Sequence, residues 1–439
     1  MNVRWKVALG FLGLIALGAA LLSSPWARAD GAWGGPLESV FMAFSAVCVT
    51  GLSVMDVAEF SRAGQILLLV LVETGCLGLM TCGTFLLIAV GRRISLSREF
   101  SLMDAYGTAK IKGLRSLICW TVGSMLAIEA AGAAVLWFSL RDVYSSVFYS
   151  IMGFCNAGFS LEPDSLAKYG GDRWFVLAMA LETILGGIGF LVIYNLCTCR
   201  WGRGAGRRGR LSLHAKVVLK WTGILLAVAF AGYLAAEWNN TLAPFGGWDK
   251  LTVGFYQAVT PRTCGFTVVP VEDMTPLTRL GCVILMYIGG GPGSAAAGMK
   301  VTTFAVLLHT CAAMCRGDGE TTVGRHSVPA AVVRESIVIF MAIAALTATV
   351  AGALLVTEAD AIKSAATSVE SLFFEAVSAI TTTGLSIGDT TANLSSAGKC
   401  VLMCAMFAGR LGALTVVLMI GGREEGGRIR RPAGEIIVG

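Results

Sequence analysis

The sequence contains little charge and almost no histidine. Asp, Glu, Lys and Arg make up 14% of its 439 residues, whereas a typical soluble domain carries about 25%. Its three histidines do not have the spacing of a zinc site, and Cys197 and Cys199 do not form a CxxC pair. No polar stretch is long enough to form a separate soluble domain. These absences argue against a soluble enzyme and a metal centre, and no nucleic-acid partner is expected.

Long apolar segments fill the chain instead. Hydrophobic residues account for 55% of it, and the mean hydropathy is +0.73. Runs of about 18 or more apolar residues recur, and each can cross a hydrocarbon core of about 30 Å as a helix. The sequence therefore predicts one polytopic, all-α integral membrane domain in contact with lipid. Most of its 13 cysteines lie inside apolar runs, where cysteine acts as a small hydrophobic residue.

Basic residues cluster in segments that alternate with acidic ones. By the positive-inside rule the basic segments are cytoplasmic, so both termini are expected inside the cell. The acids on the opposite side would concentrate cations at an entrance. The basic segments are Arg4 and Lys6, Arg92 to Arg115, Arg200 to Lys216, Arg316 to Arg334, and Arg423 to Arg431.

The N-terminus allows two interpretations. Arg4 and Lys6, the apolar run 7–22 and Ala27-Arg28-Ala29 have the features of a cleaved secretory signal. The repeats described next require the same run as a retained helix, and we favour the retained helix.

One pattern occurs four times along the chain. Each unit has an apolar helix, a short semi-apolar helix, a Gly-centred turn and a second apolar helix. The short helices, over 37–48, 143–155, 250–260 and 368–380, are too brief to span a bilayer and are expected to be re-entrant. The flanking helices give eight full spans, over 4–24, 64–90, 114–140, 174–199, 217–236, 278–309, 334–357 and 397–421. The units are predicted to cover 1–91, 92–200, 201–316 and 317–439.

The turns place a glycine at the same position of each unit. Gly51, Gly158, Gly265 and Gly384 are each followed by Leu or Phe and then by Ser or Thr. A cation filter replaces the ion's hydration shell with backbone carbonyls. Aiming these carbonyls at one axis requires positive φ angles, which glycine adopts without steric cost. A single Gly-Leu-Ser carries no information, but four in register favour four loops that converge on one axis.

Six segments carry a resemblance to a known family. They are AVCVTGLS at 46–53, GRRISL at 91–96, NAGF at 156–159, LSLH at 211–214, RTCGF at 262–266 and FEAVS at 374–378. With these segments the sequence resembles the Trk/Ktr/HKT superfamily of cation transporters, specifically its KtrB (TrkH-type) potassium-conducting subunits, over nearly the whole chain. The resemblance implies gated potassium uptake across the bacterial cytoplasmic membrane, through a pseudo-fourfold pore within one multi-pass polypeptide.

The resemblance also implies which residues line the ion path. Sodium-preferring relatives tend to carry serine where this chain has Gly51, which implies a preference for potassium. The backbone of each turn would form one filter strand, and the implied filter residues are Val49, Thr50, Gly51, Asn156, Ala157, Gly158, Thr263, Cys264, Gly265, Thr382, Thr383 and Gly384.

A gate is expected in the third unit. Four glycines and a proline within five residues break its second helix, since each glycine costs about 1 kcal/mol and proline about 3 kcal/mol there. A simple proline kink would explain the same residues. The resemblance implies an intramembrane loop below the filter, next to Arg410, a charge that is costly at mid-membrane. The gate residues are Gly289, Gly290, Gly291, Pro292, Gly293, Ser294, Gly298, Lys300 and Arg410.

Partners follow from the resemblance alone. It implies a homodimer docked on a cytosolic ring of nucleotide-binding KtrA-type subunits, with 92–115 and 200–210 as contact surfaces. Those segments also fit topology signals beside anionic lipid. No covalently bound cofactor is implied: potassium is the transported ion, sodium an activator, and nucleotide binds only through the partner subunit.

Three acids within the spans have two interpretations. Glu73, Glu129 and Glu182 are either cation or proton sites or interhelical hydrogen-bond acceptors. The alternative function is a sodium- or proton-coupled secondary transporter with broken helices, although that class does not predict four short helices in the same orientation. No Ser/His or paired-Asp constellation supports an enzyme.

Overall fold

The computed structural model describes residues 3–78, 114–201, 211–324 and 326–412, and these are mainly helical. The first half contains α1 (Val3–Leu22), α2 (Pro36–Cys48), α3 (Arg62–Leu77), α4 (Leu114–Leu140), α5 (Val143–Cys155), α6 (Arg173–Ile188) and α7 (Phe190–Trp201). The second half contains α8 (Leu213–Glu237), α9 (Gly247–Val259), α10 (Pro276–Tyr287), α11 (Val301–Arg316), α12 (Ala330–Thr357), α13 (Ala359–Lys363), α14 (Val369–Thr381), α15 (Thr390–Asn393) and α16 (Ser396–Leu411). An antiparallel pair of two-residue strands, β1 (Thr322–Val323) and β2 (His326–Ser327), follows α11.

Helices α2, α5, α9 and α14 are each 13 residues long. Each begins and ends within three residues of a short helix expected from the sequence. Side-chain caps fix the starts of α5 and α14: the Asp142 side chain accepts from Ser145 N at 2.9 Å, and Ser368 Oγ accepts from Ser371 N at 3.0 Å. Such side-chain acceptors satisfy N–H groups that have no partner in the first turn.

The helices that follow the four turns all stop after 12 to 16 residues. Glycines with positive φ end three of them, namely Gly78 at +75°, Gly189 at +99° and Gly412 at +85°. The continuous helix expected over 174–199 is therefore wrong: α6 and α7 meet at Gly189 with a bend of 97°. The physical reason is the left-handed backbone at Gly189, which no helix can continue through. The expected remainders of the helices over 64–90 and 397–421 extend outside the described residues.

Three described helices are long and apolar enough to cross a membrane, or four if α6 and α7 count as one bent span. The three are Ile118–Leu140, Leu213–Glu237 and Ala330–Thr357. Only 17% of the most apolar window of α8 is buried within the protein, and 28% of that of α12. Apolar surface exposed on this scale is what a lipid-facing helix presents. The basic segments 92–115, 200–210 and 423–431 lie wholly or largely outside the described residues.

The core is built around the four short helices. Their inner side chains include large residues with almost no exposure, such as Phe41, Tyr149, Tyr256 and Phe374. Tyr149 contacts the rings of Phe175 and Phe266 with centroid separations of 5.7 and 6.2 Å. Close packing of bulky rings leaves little freedom for the turns that follow these helices.

Candidate functional site

The four turns share an unusual backbone. In each, two residues with positive φ are separated by one other residue, and the second is the glycine expected from the sequence. The pairs are Val49 and Gly51 (+56° and +90°), Asn156 and Gly158 (+56° and +68°), Thr263 and Gly265 (+72° and +84°), and Thr382 and Gly384 (+48° and +86°). Positive φ is a genuine outlier for a β-branched residue such as Val49. It costs about 1–3 kcal/mol and persists only where the surroundings impose it.

Hydrogen bonds that the turn N–H groups donate to oxygens of the short helices stabilise this conformation. Thr50 N donates to Ser45 O at 2.8 Å, and Gly51 N donates to Ser45 Oγ at 3.1 Å. The fourth turn repeats the arrangement, with Thr383 N and Gly384 N donating to Ser378 O and Oγ at 2.9 and 3.1 Å. The N–H groups of these turns therefore point back into the helix.

The four glycines form a closed ring in chain order. A Cβ built on Gly51 would lie 2.9 Å from the Cα of Gly158, and one on Gly158 would lie 3.2 Å from the Cα of Gly265. A Cβ on Gly265 would lie 3.2 Å from the Cα of Gly384, and one on Gly384 would lie 3.2 Å from the Cα of Gly51. Each such Cβ would also meet the carbonyl oxygen of the residue before the next glycine. The backbone atoms of the four turns thus surround one common axis.

The ring forms the floor of an acidic cavity. The cavity has a volume of about 660 Å³, and residues from all four turns line it. Its lining contains six carboxylates, and no Lys or Arg is among the described lining residues. The carboxylates are Asp56, Glu59, Glu162, Asp164, Glu272 and Asp389. A cavity lined by one sign of charge raises the local concentration of counter-ions, here cations.

Glycines on the following helices hold the short helices closely. A Cβ on Gly75 would collide with the carbonyl oxygen of Val47, four residues before the ring glycine of that turn. Gly186 has the same relationship to Phe154, and Gly409 to Ile380. Sequence reasoning did not assign this role, although two of the three begin the glycine-rich stretches 75–78 and 186–189.

The Gly-rich segment 289–300 separates α10 from α11 and packs against the break between α6 and α7. Gly291 N donates to Gly187 O at 2.8 Å, and Ala295 N donates to Gly186 O at 3.2 Å. In return, Phe190 N donates to Gly293 O at 3.0 Å. Two backbone hydrogen bonds join the ends of the segment: Gly289 N donates to Met299 O at 2.9 Å, and Val301 N donates to Gly290 O at 3.0 Å.

Both cations expected at the gate donate hydrogen bonds to carbonyl oxygens of this segment. Arg410 Nη1 donates to Ala295 O at 2.8 Å, and its Nη2 donates to Gly75 O at 2.5 Å. Lys300 Nζ donates to Ala296 O at 2.6 Å. Ser294 Oγ lies 3.4 Å from the same oxygen, and Gly293 and Gly298 have positive φ. The carbonyl oxygen of Pro292 lies beside Gly189.

Arg262 also contacts the segment, and sequence reasoning missed it. Its side chain is buried, and its Nη2 donates to Gly289 O at 3.1 Å. The residue directly precedes the third turn. The available sequence signal was a charge directly before the third turn, where the other three units have Cys or Thr.

Glu129 on α4 and Glu182 on α6 lie behind the second turn. Glu129 and Glu182 are 5% and 3% exposed. Ser150 Oγ lies 2.6 Å from Glu182 Oε1 and 2.7 Å from the backbone carbonyl of Glu129. Cys155 Sγ lies 3.9 Å from Glu129 Oε1. Glu182 thus makes an interhelical hydrogen bond.

A helical chain with lipid-type apolar surfaces and a backbone-lined axis below an acidic cavity has the features of a membrane transport protein for cations. The chain belongs to the TrkH family, whose model, described as "Cation transport protein", matches residues 18–424. It is a transport protein and not an enzyme.

Named relatives cover almost the whole chain. It is 33% identical to the "Ktr system potassium uptake protein B" of Bacillus subtilis, over 99% of this chain and 96% of the relative. It is 31% identical to the "Potassium/sodium uptake protein NtpJ" of Enterococcus hirae, with the same coverages. The solved structure of the potassium transporter TrkH from Vibrio parahaemolyticus matches with a TM-score of 0.74 and 18% identity, over 96% of this chain and 85% of that one. That likeness concerns the fold.

Proposed function

We propose that this protein takes up potassium across the bacterial cytoplasmic membrane through the ring of four glycine turns. The closed ring of Gly51, Gly158, Gly265 and Gly384 is the observation that carries the proposal. Relatives above 30% identity are named as potassium or potassium/sodium uptake proteins, which supports the choice of ion.

The turn backbones act as the selectivity filter in this proposal. The side chains of the eight non-glycine filter residues are at most 1% exposed, so they pack behind the turns and leave the backbone to face the axis. Carbonyl oxygens replace the hydration shell of a cation without adding a fixed charge. The filter comprises Val49, Thr50, Gly51, Asn156, Ala157, Gly158, Thr263, Cys264, Gly265, Thr382, Thr383 and Gly384.

The segment 289–300 and Arg410 act as the gate. Arg410 joins Ala295 of the segment to Gly75 of α3, which braces the segment across the protein. Two positive charges, Lys300 and Arg410, oppose cation passage next to it. Conduction requires the segment to move and these hydrogen bonds to break.

The wider architecture is part of the same proposal. Four units over 1–91, 92–200, 201–316 and 317–439, with eight spans and four re-entrant helices, surround one pseudo-fourfold pore, and both termini are cytoplasmic. The chain forms a homodimer on a nucleotide-binding KtrA-type ring, with sodium as an activator. The word "system" in the name of the Bacillus subtilis relative supports a multi-component assembly.

Growth of a potassium-uptake-deficient strain at limiting potassium tests the proposal. Expression of this chain, with and without a KtrA-type subunit, should restore growth, and a filter variant at equal membrane abundance should not. Absence of rescue with every partner and ion condition, despite verified membrane expression, would contradict it.

A coupled secondary transporter is the second candidate, favoured by the two broken helices at Gly189 and at 289–300. Current–voltage measurements separate the candidates. A conductive pore gives current that follows the driving force on potassium alone, whereas a coupled transporter saturates and responds to the gradient of the coupling ion.

A further inference from the structure

The residue directly before the turn is similar in three units and different in the third unit. Cys48, Cys155 and Thr381 directly precede Val49, Asn156 and Thr382, and all three are buried, small and uncharged. The corresponding residue in the third unit is Arg262, which is 7% exposed. A buried charge directly behind one filter strand is expensive, so it calls for a specific function.

Arg262 has few partners for a buried guanidinium. Its Nη2 donates to Gly289 O at 3.1 Å, whereas its Nε has no hydrogen-bond partner in the described part of the chain. None of the ion pairs between described residues includes it. A hydrogen bond from a charged donor is stronger than a neutral one, so the bond to Gly289 is the main polar attachment of this side chain.

That attachment joins the third turn to the start of the Gly-rich segment. Gly289 is the first residue of the segment, and Arg262 and Thr263 are adjacent in the chain. The other side of the segment is held by Arg410, through Ala295 O at 2.8 Å. Two guanidinium groups from different units therefore hold the segment, and only Arg262 is covalently continuous with a filter strand.

We propose that Arg262 is a positioning residue that couples the Gly-rich segment to the third filter strand, and so makes ion selectivity depend on the position of the gate. With the bond to Gly289 formed, the strand keeps the positive-φ geometry of Thr263 and Gly265. Movement of the segment breaks that bond and releases the strand. The inference rests on the proposed function, since it assigns a selectivity role within the same pore.

The test is the reversal potential of the reconstituted full-length chain with potassium on one side of the liposome membrane and sodium on the other. Arg262→Gln removes the charge and the fork of donors, and Arg262→Lys keeps the charge without the fork. The potassium-to-sodium permeability ratio should fall about tenfold in Arg262→Gln, the size expected for losing a hydrogen bond to a charged group. The permeability ratio of Arg262→Lys should lie between those of Arg262→Gln and the unaltered protein.

The matched control is Arg279→Gln, the same substitution in the same unit. Arg279 pairs with Glu370 at 2.8 Å and does not contact the segment. Its permeability ratio should equal that of the unaltered protein. An equal fall in Arg279→Gln would mean that any lost arginine loosens the pore, and would overturn the specific role of Arg262.

Coupling to the gate is tested by the double variant Arg262→Gln/Arg410→Ala. If both arginines hold one segment, their effects on potassium flux are not additive, as contacts within one network generally are not. Additive effects, or a normal permeability ratio in both Arg262 variants, would overturn the coupling. If Arg262→Gln does not reach the membrane, Arg262→Lys decides. Absence of any potassium conductance in the unaltered protein would instead contradict the proposed function.

Discussion

Arg410 Nη1 donates a hydrogen bond of 2.8 Å to the backbone carbonyl of Ala295, which lies 115 residues earlier in the chain. Freed carbonyls of a broken helix need donors at membrane depth, because lipid supplies none. The arginine satisfies one of them and holds the Gly-rich segment in place.

Replacing Arg410 by alanine should therefore raise potassium flux. The change removes the hydrogen bonds to Ala295 O and Gly75 O together with one positive charge. Because a hydrogen bond to a charged group contributes about 1.5–3 kcal/mol, we expect potassium flux to rise about tenfold. Potassium efflux from liposomes measures it. Lys399→Ala, near the start of the same helix, is the control and should behave as the unaltered protein. Equal or lower flux in Arg410→Ala would count against the gate.

Alanine at Gly158 should reduce conduction at least tenfold. Gly158 has φ +68°, and a Cβ there would lie 3.1 Å from Cys264 O. An L-residue pays about 1–2 kcal/mol for that conformation, and the added methyl group would displace the neighbouring strand. We expect no growth rescue and at least a tenfold lower flux, because each 1.4 kcal/mol or so added to a barrier lowers a rate about tenfold.

The matched control for this change is Gly352→Ala on α12. Apart from its own helix, no atom of the described residues lies within 4 Å of a Cβ built there. This variant should conduct normally and gain slightly in helix stability, since alanine has the higher helix propensity. Normal potassium flux through Gly158→Ala would show that the ring does not limit the ion path.

Neutralising the cavity acids should weaken potassium capture. Asp164→Asn combined with Asp389→Asn removes two of the six carboxylates that line the cavity. The potassium concentration for half-maximal uptake should rise about two- to fivefold at low ionic strength, and the difference should disappear in high salt, which screens exposed charges.

Asp360→Asn is the control for the cavity acids. Asp360 is 98% exposed and does not line the cavity, so its uptake curve should not change. A shift that persists in high salt would indicate a structural effect of the double substitution and not attraction of cations.

Glu237 should stabilise the third unit. Its carboxylate, at the end of α8, accepts from Thr275 N at 2.9 Å, Thr275 Oγ1 at 2.8 Å and Thr278 Oγ1 at 2.5 Å, at the start of α10. All three bonds reach Oε1, whereas Oε2 accepts from Asn240 Nδ2 at 2.8 Å and from Thr241 Oγ1 at 3.0 Å. Glu237→Gln should lower the free energy of unfolding by about 1.5–3 kcal/mol, because the amide nitrogen that replaces one of the two oxygens cannot accept the bonds made there. Thermal unfolding in detergent measures this loss. The control is Glu320→Gln at an exposed position, and it should unfold at the same temperature as the unaltered protein. Equal stability of both variants would refute the stabilising role of Glu237.

Much of the site could be read from local patterns. Four short apolar segments ended by glycine turns led to helices within three residues of their places, and Gly51, Gly158, Gly265 and Gly384 were identified by register alone. The interruption at 289–300 was predicted because glycine and proline break helices. The break at Gly189 was not, since a glycine within an apolar run has the same sequence appearance whether its φ is negative or positive.

Hydropathy, charge alternation and glycine register predict a helical membrane protein with four equivalent turns, because they are local properties of the chain. Only the folded chain shows that the turns close into one ring, that Gly75, Gly186 and Gly409 allow close helix contact, and that Arg262 and Arg410 hold one segment. These relationships join residues up to 335 positions apart in the chain. Packing selects such contacts, and no spacing within a single segment encodes them.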